Sequence, residues 1–468
     1  MSTQTQTESF ILQTIASDIQ VHHLEPQLLQ ELEPTAPPPP KWLYPKIFSA
    51  GISFFSAGIN DGSLGSLIPY VIRSYNIGTN MVSLLYGITF FGWLFAAISS
   101  SFICQHLDLG AMLSLGASIQ ILAHVLRVWL PPFPLYAVTF FFASLGQAYN
   151  DMHANTFVST QKGAHRWLGF IHAMYMAGCL VGPFAATAVA SADTESQWNL
   201  FYYLPLAVGV GNLCAVGISF HDRVGFLGKR RNLREGEDHD PDHNGQPRAQ
   251  TDGGSSAGKN ALKEIRDTLS TPGVWLLSLF FFFFLGAAVT AGGWMVEYLV
   301  NIRNGDVKEM GYIPAGFYGG AFLGRLLLAE PTHRLGERRM IFIYAVLCVG
   351  LQLVFWLLSV PNIITEAVAV SLLGFFSGPF FATVRYFFSY MLLGVSVGSK
   401  IFAPEILSPA ISFVFVLGQI GGSIFPAITG LIAAHFGVKV LQPILVGLLG
   451  TAGISWLVLP KDLELHRD

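Results

Sequence analysis

The chain has 468 residues, of which 52% are hydrophobic and only 12% are charged, and its formal net charge at pH 7 is −3. Soluble domains carry roughly twice that charged fraction, so the composition excludes an ordinary soluble protein. The apolar residues gather into segments of about 20 residues, the length that a helix needs to cross a bilayer. The composition therefore predicts an all-α membrane protein with many spans.

The chain opens with a polar segment, residues 1–45, which is acidic and ends in a proline-rich stretch. Such a composition cannot bury a core, and we expect a disordered cytoplasmic tail. Twelve transmembrane helices are predicted after it, near residues 46–73, 81–104, 110–130, 133–156, 166–190, 199–220, 272–301, 310–329, 339–360, 362–390, 403–434 and 438–459. Residues 221–271 are charged and glycine-rich, so we expect a flexible cytoplasmic linker there. Residues 460–468 form a short second tail.

Lysine and arginine residues indicate the orientation, because cytoplasmic loops carry an excess of them. If both termini are cytoplasmic, 19 of the 26 lysine and arginine residues lie on the cytoplasmic side and four lie in the outer loops. We therefore predict cytoplasmic termini. The plasma membrane is the default location for such a protein, and the vacuolar membrane is the alternative.

The two halves of the chain look like weak copies of each other, at an offset of about 228 residues. With this offset Gly58 pairs with Gly286, and Gly92 pairs with Gly320. A repeated six-helix half on each side of a long loop is the plan of major facilitator transporters. We therefore predict two six-helix pseudo-repeats with a substrate site between them, near the middle of the bilayer. The predicted halves are residues 46–220 and 272–459.

The first predicted helix carries two polar residues, Asn60 and Asp61, near its centre. Asp61 follows Lys46 by 15 residues, or about 22 Å of helix, which brings it close to the middle of the membrane. Inserting a charged carboxylate at the centre of a membrane helix costs about 2.5–3.5 kcal/mol of free energy. Because of this cost, acids inside membranes are usually functional. We predict that Asp61 faces a wet cavity and carries a proton, and that Asn60 binds the substrate. The alternative is that both residues only bond across helices and hold the packing.

The fourth predicted helix contains a second polar cluster, GQAYNDMHANTF, at residues 146–157. Asp151 and Asn155 are four residues apart, so they share one helix face. Asp151 is predicted either to be the second proton-coupling acid or to pair with Arg166, and both interpretations stay open. Asn155 is a candidate substrate ligand. Aromatic candidates for the cavity lining are Phe54, Trp93, Tyr149, Tyr175 and Trp294, of which Tyr149 and Trp294 are also predicted to bind the substrate.

The run GRLLLAEPTHRLGERR, residues 324–339, joins the eighth and ninth predicted helices. Gly336 allows a tight turn, and the arginines around it can bond helix-end carbonyls. Facilitators use such a loop as a latch whose bonds break when the inner gate opens. We therefore predict a gating role for Arg334, Gly336, Arg338 and Arg339. The alternative is simple anchoring at the cytoplasmic surface.

Three arginines, Arg127, Arg325 and Arg385, fall within predicted helices, and two of them have expected roles. Arg385, toward the inner side of the tenth helix, is predicted either to bind an anionic group of the substrate or to reach the lipid headgroups. Arg127, near the outer end of the third helix, is expected to extend to the headgroups.

Three stretches resemble fungal members of the fucose-permease-like group of major facilitators: GINDGSLGSLIPY, LGQAYNDMHANTF and GAAVTAGGWMVEYL, in helices 1, 4 and 7. The resemblance covers nearly all of residues 46–459. In that group an acid follows an asparagine in helix 1, as Asp61 follows Asn60. An acid also precedes an asparagine by four residues in helix 4, as Asp151 precedes Asn155. The resemblance implies a sugar–proton symporter in which these two acids couple protons to the substrate.

We therefore predict a secondary active transporter of a small organic solute, with a sugar as one candidate, that is proton-coupled and works by alternating access. Its expected partners are the solute, protons and the lipid bilayer, and we expect a monomer with no nucleic-acid partner. No P-loop, HExxH or CxxC motif occurs in the sequence, so we expect no enzyme, no cofactor and no metal site. The alternatives are a proton-driven exporter of metabolites or toxic compounds, a passive facilitator, and a non-transporting membrane sensor.

Overall fold

The computed structural model describes residues 42–192, 196–223, 270, 272–357, 363–380 and 407–459. The chain divides into two compact units, Met1–Tyr44 and Pro45–Asp468. Only residues 42–44 of the first unit are described, and the second unit contains the helical bundle. Residues 1–41 of the predicted N-terminal tail, the predicted C-terminal tail and all but the ends of the predicted linker lie outside the described residues.

The first half of the bundle consists of six helices, which we label α1 to α6. They are α1 Leu43–Tyr75, α2 Thr79–Ile103, α3 Leu109–Val128, α4 Phe133–Ser159, α5 Ala164–Ala190 and α6 Tyr203–Ser219. A 3₁₀ turn, Trp198–Tyr202, leads into α6. Pro134 lies in the first turn of α4, where its missing N–H leaves no helical hydrogen bond unmade.

The second half follows in the same pattern, and we label its long helices α7 to α12. They are α7 Pro272–Ile302, α8 Ile313–Leu327, α9 Glu337–Leu357, α10 Ile363–Ser377, α11 Leu407–Phe436 and α12 Leu441–Leu457. Two short helices flank α8, Val307–Met310 before it and Ala329–Leu335 after it. Asp306 caps the first of these by accepting the backbone N–H of Lys308 at 3.0 Å. Arg385 lies between α10 and α11, outside the described residues.

Most of the long helices have the length and composition of membrane spans. Among the described residues, eight helices are long and apolar enough to cross a bilayer, and no β-strand occurs. The prediction of an all-α membrane protein is therefore confirmed. The count of twelve spans stays a prediction.

The internal repeat is visible in the packing of α2 and α8. A Cβ atom added at Gly92 of α2 would come within 2.7 Å of the carbonyl oxygen of Phe141 on α4. A Cβ atom added at Gly320 of α8 would overlap the carbonyl oxygen of Ser371 on α10. These two glycines are the pair that the sequence offset aligns, so both halves use a residue without a side chain at the same helix crossing.

We call the end of the bundle that holds the α1–α2 and α7–α8 connections the distal end. There Oγ of Ser66 on α1 donates to the carbonyl oxygen of Gly311, just before α8, at 2.8 Å. The rings of Tyr86 on α2 and Trp294 on α7 lie 6.2 Å apart. Both contacts join the first half of the bundle to the second, so the halves meet at the distal end.

Candidate functional site

A cavity of about 140 Å³ lies between the two halves of the bundle. This volume has room for roughly five water molecules or for a small solute, at about 30 Å³ for each water. Helices α1, α2, α4 and α5 line it from the first half, and α7, α8, α10 and α11 line it from the second. The polar lining residues of the first half are Asn60, Asp61, Tyr86, Thr89, Ser144, Gln147, Asp151, His172 and Tyr175.

The second half presents a more apolar wall to the same cavity. Its apolar lining residues include Phe284, Leu285, Ala288, Val289, Phe317 and Ala321. Its polar lining residues are Tyr318, Arg325, Ser377, Gln419 and Ser423. A solute in the cavity would therefore meet mainly hydrogen-bonding groups on one side and mainly aromatic and aliphatic groups on the other.

Asp61 belongs to the polar wall, and its side chain is exposed to the cavity although it lies deep in the bundle. Its Oδ2 atom accepts hydrogen bonds from Nε2 of Gln147 at 2.8 Å and from the hydroxyl of Tyr175 at 3.0 Å. Its Oδ1 atom accepts from Nδ2 of Asn60 at 3.1 Å. Three helices therefore meet at this carboxylate, and every neighbour acts as a donor, which is the pattern that an ionised carboxylate accepts.

Arg127 supplies a positive charge behind Asn60. Its Nη1 atom donates to Oδ1 of Asn60 at 2.9 Å, and its Nε atom donates to Oγ1 of Thr139 at 2.7 Å. Arg127 is only 1% exposed, and its guanidinium carbon lies 4.1 Å from the centroid of the Phe140 ring. The expectation that Arg127 extends to the headgroups is therefore wrong, because partners on α1 and α4 hold the guanidinium inside the bundle.

Asp151, the second predicted acid, also lines the cavity and is only 3% exposed. It lies one helical turn after Gln147 on α4, so Gln147 adjoins both acids. Within the described residues, Oδ1 of Asp151 has no hydrogen-bond partner. Arg166 is exposed and forms no ion pair with Asp151 in that part of the chain, so the geometry favours the cavity role over the pair.

Three of the predicted substrate ligands do not line this cavity. The hydroxyl of Tyr149 lies 2.7 Å from Oγ of Ser99 on α2, because Tyr149 is two residues before Asp151 and points to another side of α4. Trp294 is fully buried near the distal end, where its indole N–H donates to a carbonyl oxygen of α11 at 2.9 Å. Asn155 is half-buried, one turn beyond Asp151.

The remaining predicted positions divide between the cavity and the undescribed part of the chain. Asn60, Phe54, Trp93 and Tyr175 line the cavity. Arg385 lies outside the described residues.

The predicted gating loop connects α8 to α9 and contacts the end of α12. Gly336 has a φ of +94°, a left-handed backbone that residues with side chains rarely adopt. Nη2 of Arg338 donates to a carbonyl oxygen at the end of α12 at 3.1 Å. Arg334 pairs with Glu330 of its own short helix at 2.6 Å, and both residues are exposed, as is Arg339. The loop thus ties α9 to α12, and its gating role stays a prediction.

Gln147 and Arg325 both line the cavity but are not among the predicted site residues. Gln147 precedes Asp151 by four residues, so a search for polar neighbours one helical turn away would find it. Nη1 of Arg325 on α8 donates to the carbonyl oxygen of His172 on α5 at 3.4 Å and joins the two halves. An arginine within an apolar helix indicates a functional site for the same reason as Asp61, because charged residues inside a membrane usually have a function.

Comparison with known proteins decides the family. The family model described as Major Facilitator Superfamily matches residues 50–399, which is most of the chain. The chain belongs to the Major Facilitator Superfamily. The expected family is therefore confirmed.

This superfamily member is similar to Bypass of stop codon protein 6 of Saccharomyces cerevisiae, with 23% identity over 449 residues that cover 90% of this chain and 84% of the yeast protein. A solved bacterial homologue of the human lysosomal transporter Spinster, inward-facing and unoccupied, is similar with a TM-score of 0.62 and 14% identity, covering 90% of this chain and 95% of that one. The fucose:proton symporter FucP of E. coli has a TM-score of 0.57 and 16% identity, covering 90% of this chain and 100% of that one. The nucleoside transporter NupG has a TM-score of 0.62 and 11% identity, covering 89% and 100%. At these identities the solved structures show the fold alone.

Proposed function

We propose that this superfamily member is a secondary active transporter that couples the movement of a small organic solute to protons by alternating access. The observation that supports this most is the position of Asp61, an acid deep in α1 whose side chain is exposed to a cavity between the two halves. A wet cavity makes a charge at that depth tolerable. Protonation removes the charge, so the acid can take up a proton while the cavity is open to one side and release it to the other.

Asp151 is the second acid of the proposed coupling pair. Gln147 donates to Asp61 and lies one turn before Asp151, so its amide connects the two carboxyl groups. Two acids that interact closely titrate as a pair, and the binding of one proton changes the affinity of the pair for the next. In the proposed cycle this pair holds one exchangeable proton.

The two walls of the cavity favour a solute that is polar on one face and apolar on the other. Asn60 and Gln147 offer amide groups to hydroxyls from the first half, whereas Phe284 and Phe317 offer aromatic surface from the second. A sugar ring fits this description, because its hydroxyl groups lie at its rim and its C–H faces can pack on aromatic rings. Two of the similar solved structures are named for such solutes, a fucose:proton symporter and a nucleoside transporter.

The contacts between the halves fit one state of the proposed cycle. The bond from Ser66 to Gly311 and the packing of Tyr86 on Trp294 hold the halves together at the distal end. In the proposed cycle these contacts separate when the cavity opens to the distal side. They form again after the solute and the proton have bound.

Transport by the purified full-length protein in proteoliposomes with an imposed pH gradient tests the proposal. Labelled fucose, other hexoses and nucleosides serve as the solute panel, and a trapped pH-sensitive dye reports proton movement. We expect at least one solute to accumulate only when the gradient is present, with protons moving alongside it. Equal uptake with and without the gradient would contradict proton coupling and indicate a passive facilitator.

Glu297 of α7 offers a matched control for the acid in this experiment. It is a buried acid of the same bundle that does not line the cavity, and its Oε1 atom accepts from Nδ2 of Asn301 at 2.7 Å. Glu297→Gln should therefore leave the coupling intact, whereas Asp61→Asn should remove it.

A further inference from the structure

Arg127 is a buried cation that reaches an acid only through an amide. The rings of Phe140, Tyr202 and Tyr136 surround its guanidinium carbon, with centroids at 4.1, 5.2 and 5.9 Å. Across the described ranges of the chain, no carboxylate lies within 4.0 Å of its nitrogen atoms. A buried charge without a directly paired countercharge destabilises the fold. Packing alone therefore does not explain why an arginine occupies position 127.

Asn60 connects Arg127 to Asp61. A guanidinium group has only donors, so the amide oxygen of Asn60 must face Arg127, and its NH₂ group then faces Asp61. Arg127 thereby fixes the orientation of the amide. As a result, Oδ1 of Asp61 always contacts the NH₂ group of Asn60, because the amide cannot rotate to present its oxygen instead.

The other oxygen of Asp61, Oδ2, has more adaptable neighbours. The amide of Gln147 can turn, and the hydroxyl of Tyr175 can either donate or accept. A proton on Oδ2 can therefore be accommodated by rotation of these two groups, whereas a proton on Oδ1 would point at the NH₂ group of Asn60. Gln147 and Tyr175 both line the cavity, so Oδ2 faces the groups that a solute can reach.

We propose that Arg127 is a positioning residue for proton coupling, which fixes Asn60 as a donor so that the exchangeable proton binds Asp61 at Oδ2. The positive charge of Arg127 also stabilises the ionised carboxylate across the amide. Arg127 does not line the cavity, so it acts without touching the solute. This inference rests on the proposed role of Asp61 as the proton carrier.

Other ionisable groups interact with Asp61 or line the same cavity, and they are the same in every Arg127 variant. In the first half, Tyr86, Asp151, Tyr175 and Cys179 interact with Asp61, and His172 lines its cavity. In the second half, Tyr318 interacts with Asp61, and Arg325 lines its cavity. No substitution of Arg127 removes any of them, so a difference between variants reports the effect of Arg127 itself.

Infrared titration of the purified full-length protein in lipid tests the inference without a transported solute. The probe is the C=O stretching band of the protonated carboxyl group, assigned to Asp61 by its loss in Asp61→Asn. Arg127→Gln removes the charge and lets Asn60 turn, whereas Arg127→Lys keeps a positive group that only donates.

We expect Arg127→Gln to move the midpoint of this band to higher pH by on the order of one unit, because the variant loses both the positive charge and the fixed donor that stabilise the ionised carboxylate. We expect the midpoint for Arg127→Lys to stay within about half a pH unit of the wild-type midpoint, because lysine keeps the positive charge. If Arg127→Gln does not fold, Asn60→Leu breaks the same connection and should move the midpoint in the same direction.

Arg303→Gln is the matched control, because Arg303 is a mostly buried arginine of the second half that pairs with Glu366 at 3.2 Å. It should lower the thermal unfolding midpoint without moving the band. If the folded Arg127→Gln or Asn60→Leu variant keeps the wild-type midpoint, Arg127 has only a structural role and this inference is overturned, while the proposed function stands. If Asp61→Asn leaves the band in place, Asp61 does not hold the exchangeable proton, and both proposals fail.

Discussion

Gly65 of α1 lies so close to Gly292 of α7 that a Cβ atom at residue 65 would overlap the carbonyl oxygen of Gly292. This contact joins the two halves of the bundle near the distal end. Two helix backbones inside a membrane can approach so closely only where small residues meet. The pair of glycines therefore contributes to closing the distal end.

Gly65→Ala should shift the protein toward a conformation that is open at the distal end. The added methyl group pushes α1 away from α7, so the closed state should lose about 1–3 kcal/mol relative to the open one. A cysteine introduced by Leu64→Cys lines the cavity and reports its opening through labelling by a membrane-impermeant maleimide. We expect labelling to become at least several-fold faster when Gly65→Ala is added.

Gly87→Ala in α2 is the control for this experiment. In the part of the chain that the structure describes, a Cβ atom at residue 87 has no heavy atom within 4 Å outside its own helix backbone, so the substitution should leave labelling at the rate of the parent protein. Labelling of the Gly65→Ala protein at the parent rate would show that the glycine contact does not hold the distal end closed.

Gln147→Leu should uncouple proton movement while the protein stays folded. Nε2 of Gln147 donates to Oδ2 of Asp61 at 2.8 Å, and a hydrogen bond to a charged group contributes about 1.5–3 kcal/mol. We therefore expect proton-driven uptake in proteoliposomes to fall roughly ten- to a hundredfold. Thermal unfolding of the same preparation checks that the fold is retained.

Gln352→Leu is the matched amide for comparison. Gln352 is buried, bonds the side chain of Gln442 and does not line the cavity. Its removal should lower the thermal unfolding midpoint and leave uptake near wild type. If Gln147→Leu behaves in this same way, its amide has no part in coupling.

Gly336→Ala should destabilise the connection between α8 and α9. At a φ of +94° an alanine is strained, and we expect a loss of about 1–3 kcal/mol in the free energy of unfolding. Thermal and denaturant unfolding measure the loss. Gly350→Ala in the middle of α9 is the control, because no heavy atom of the described residues outside its own helix backbone lies within 4 Å of an added Cβ, and alanine favours the helix. An equal or higher stability of Gly336→Ala would show that the loop tolerates a side chain.

The sequence predicted features that depend only on distance along the chain and on composition. The depth of Asp61 in the membrane follows from the rise per residue of a helix. Its exposure to a cavity agrees with the rule that ionisable residues inside a membrane usually have a function. The pairing of Gly92 with Gly320 follows from a constant offset, and both glycines lie at equivalent helix crossings.

The direction of individual side chains was not predictable in the same way. Helical periodicity tells which residues share a face, but it does not tell which face meets the cavity. Trp294 was expected at the cavity because it is aromatic. Its indole N–H instead donates to the carbonyl oxygen of Pro426, which is 132 residues away in the chain. Arg127 lies in the last turn of α3, where a headgroup contact looks natural, but Asn60 on α1 holds it inside.

Asp61→Asn, reconstituted with a solute found in the panel, provides the most direct measurement of whether Asp61 carries the coupled proton. Two rates are compared: counterflow exchange with equal pH on both sides, and uphill accumulation driven by a pH gradient. We predict that exchange persists in Asp61→Asn while uphill accumulation falls to background, because the cavity still binds the solute but the acid no longer takes up a proton. Uphill accumulation at the wild-type level in Asp61→Asn would contradict this role for Asp61.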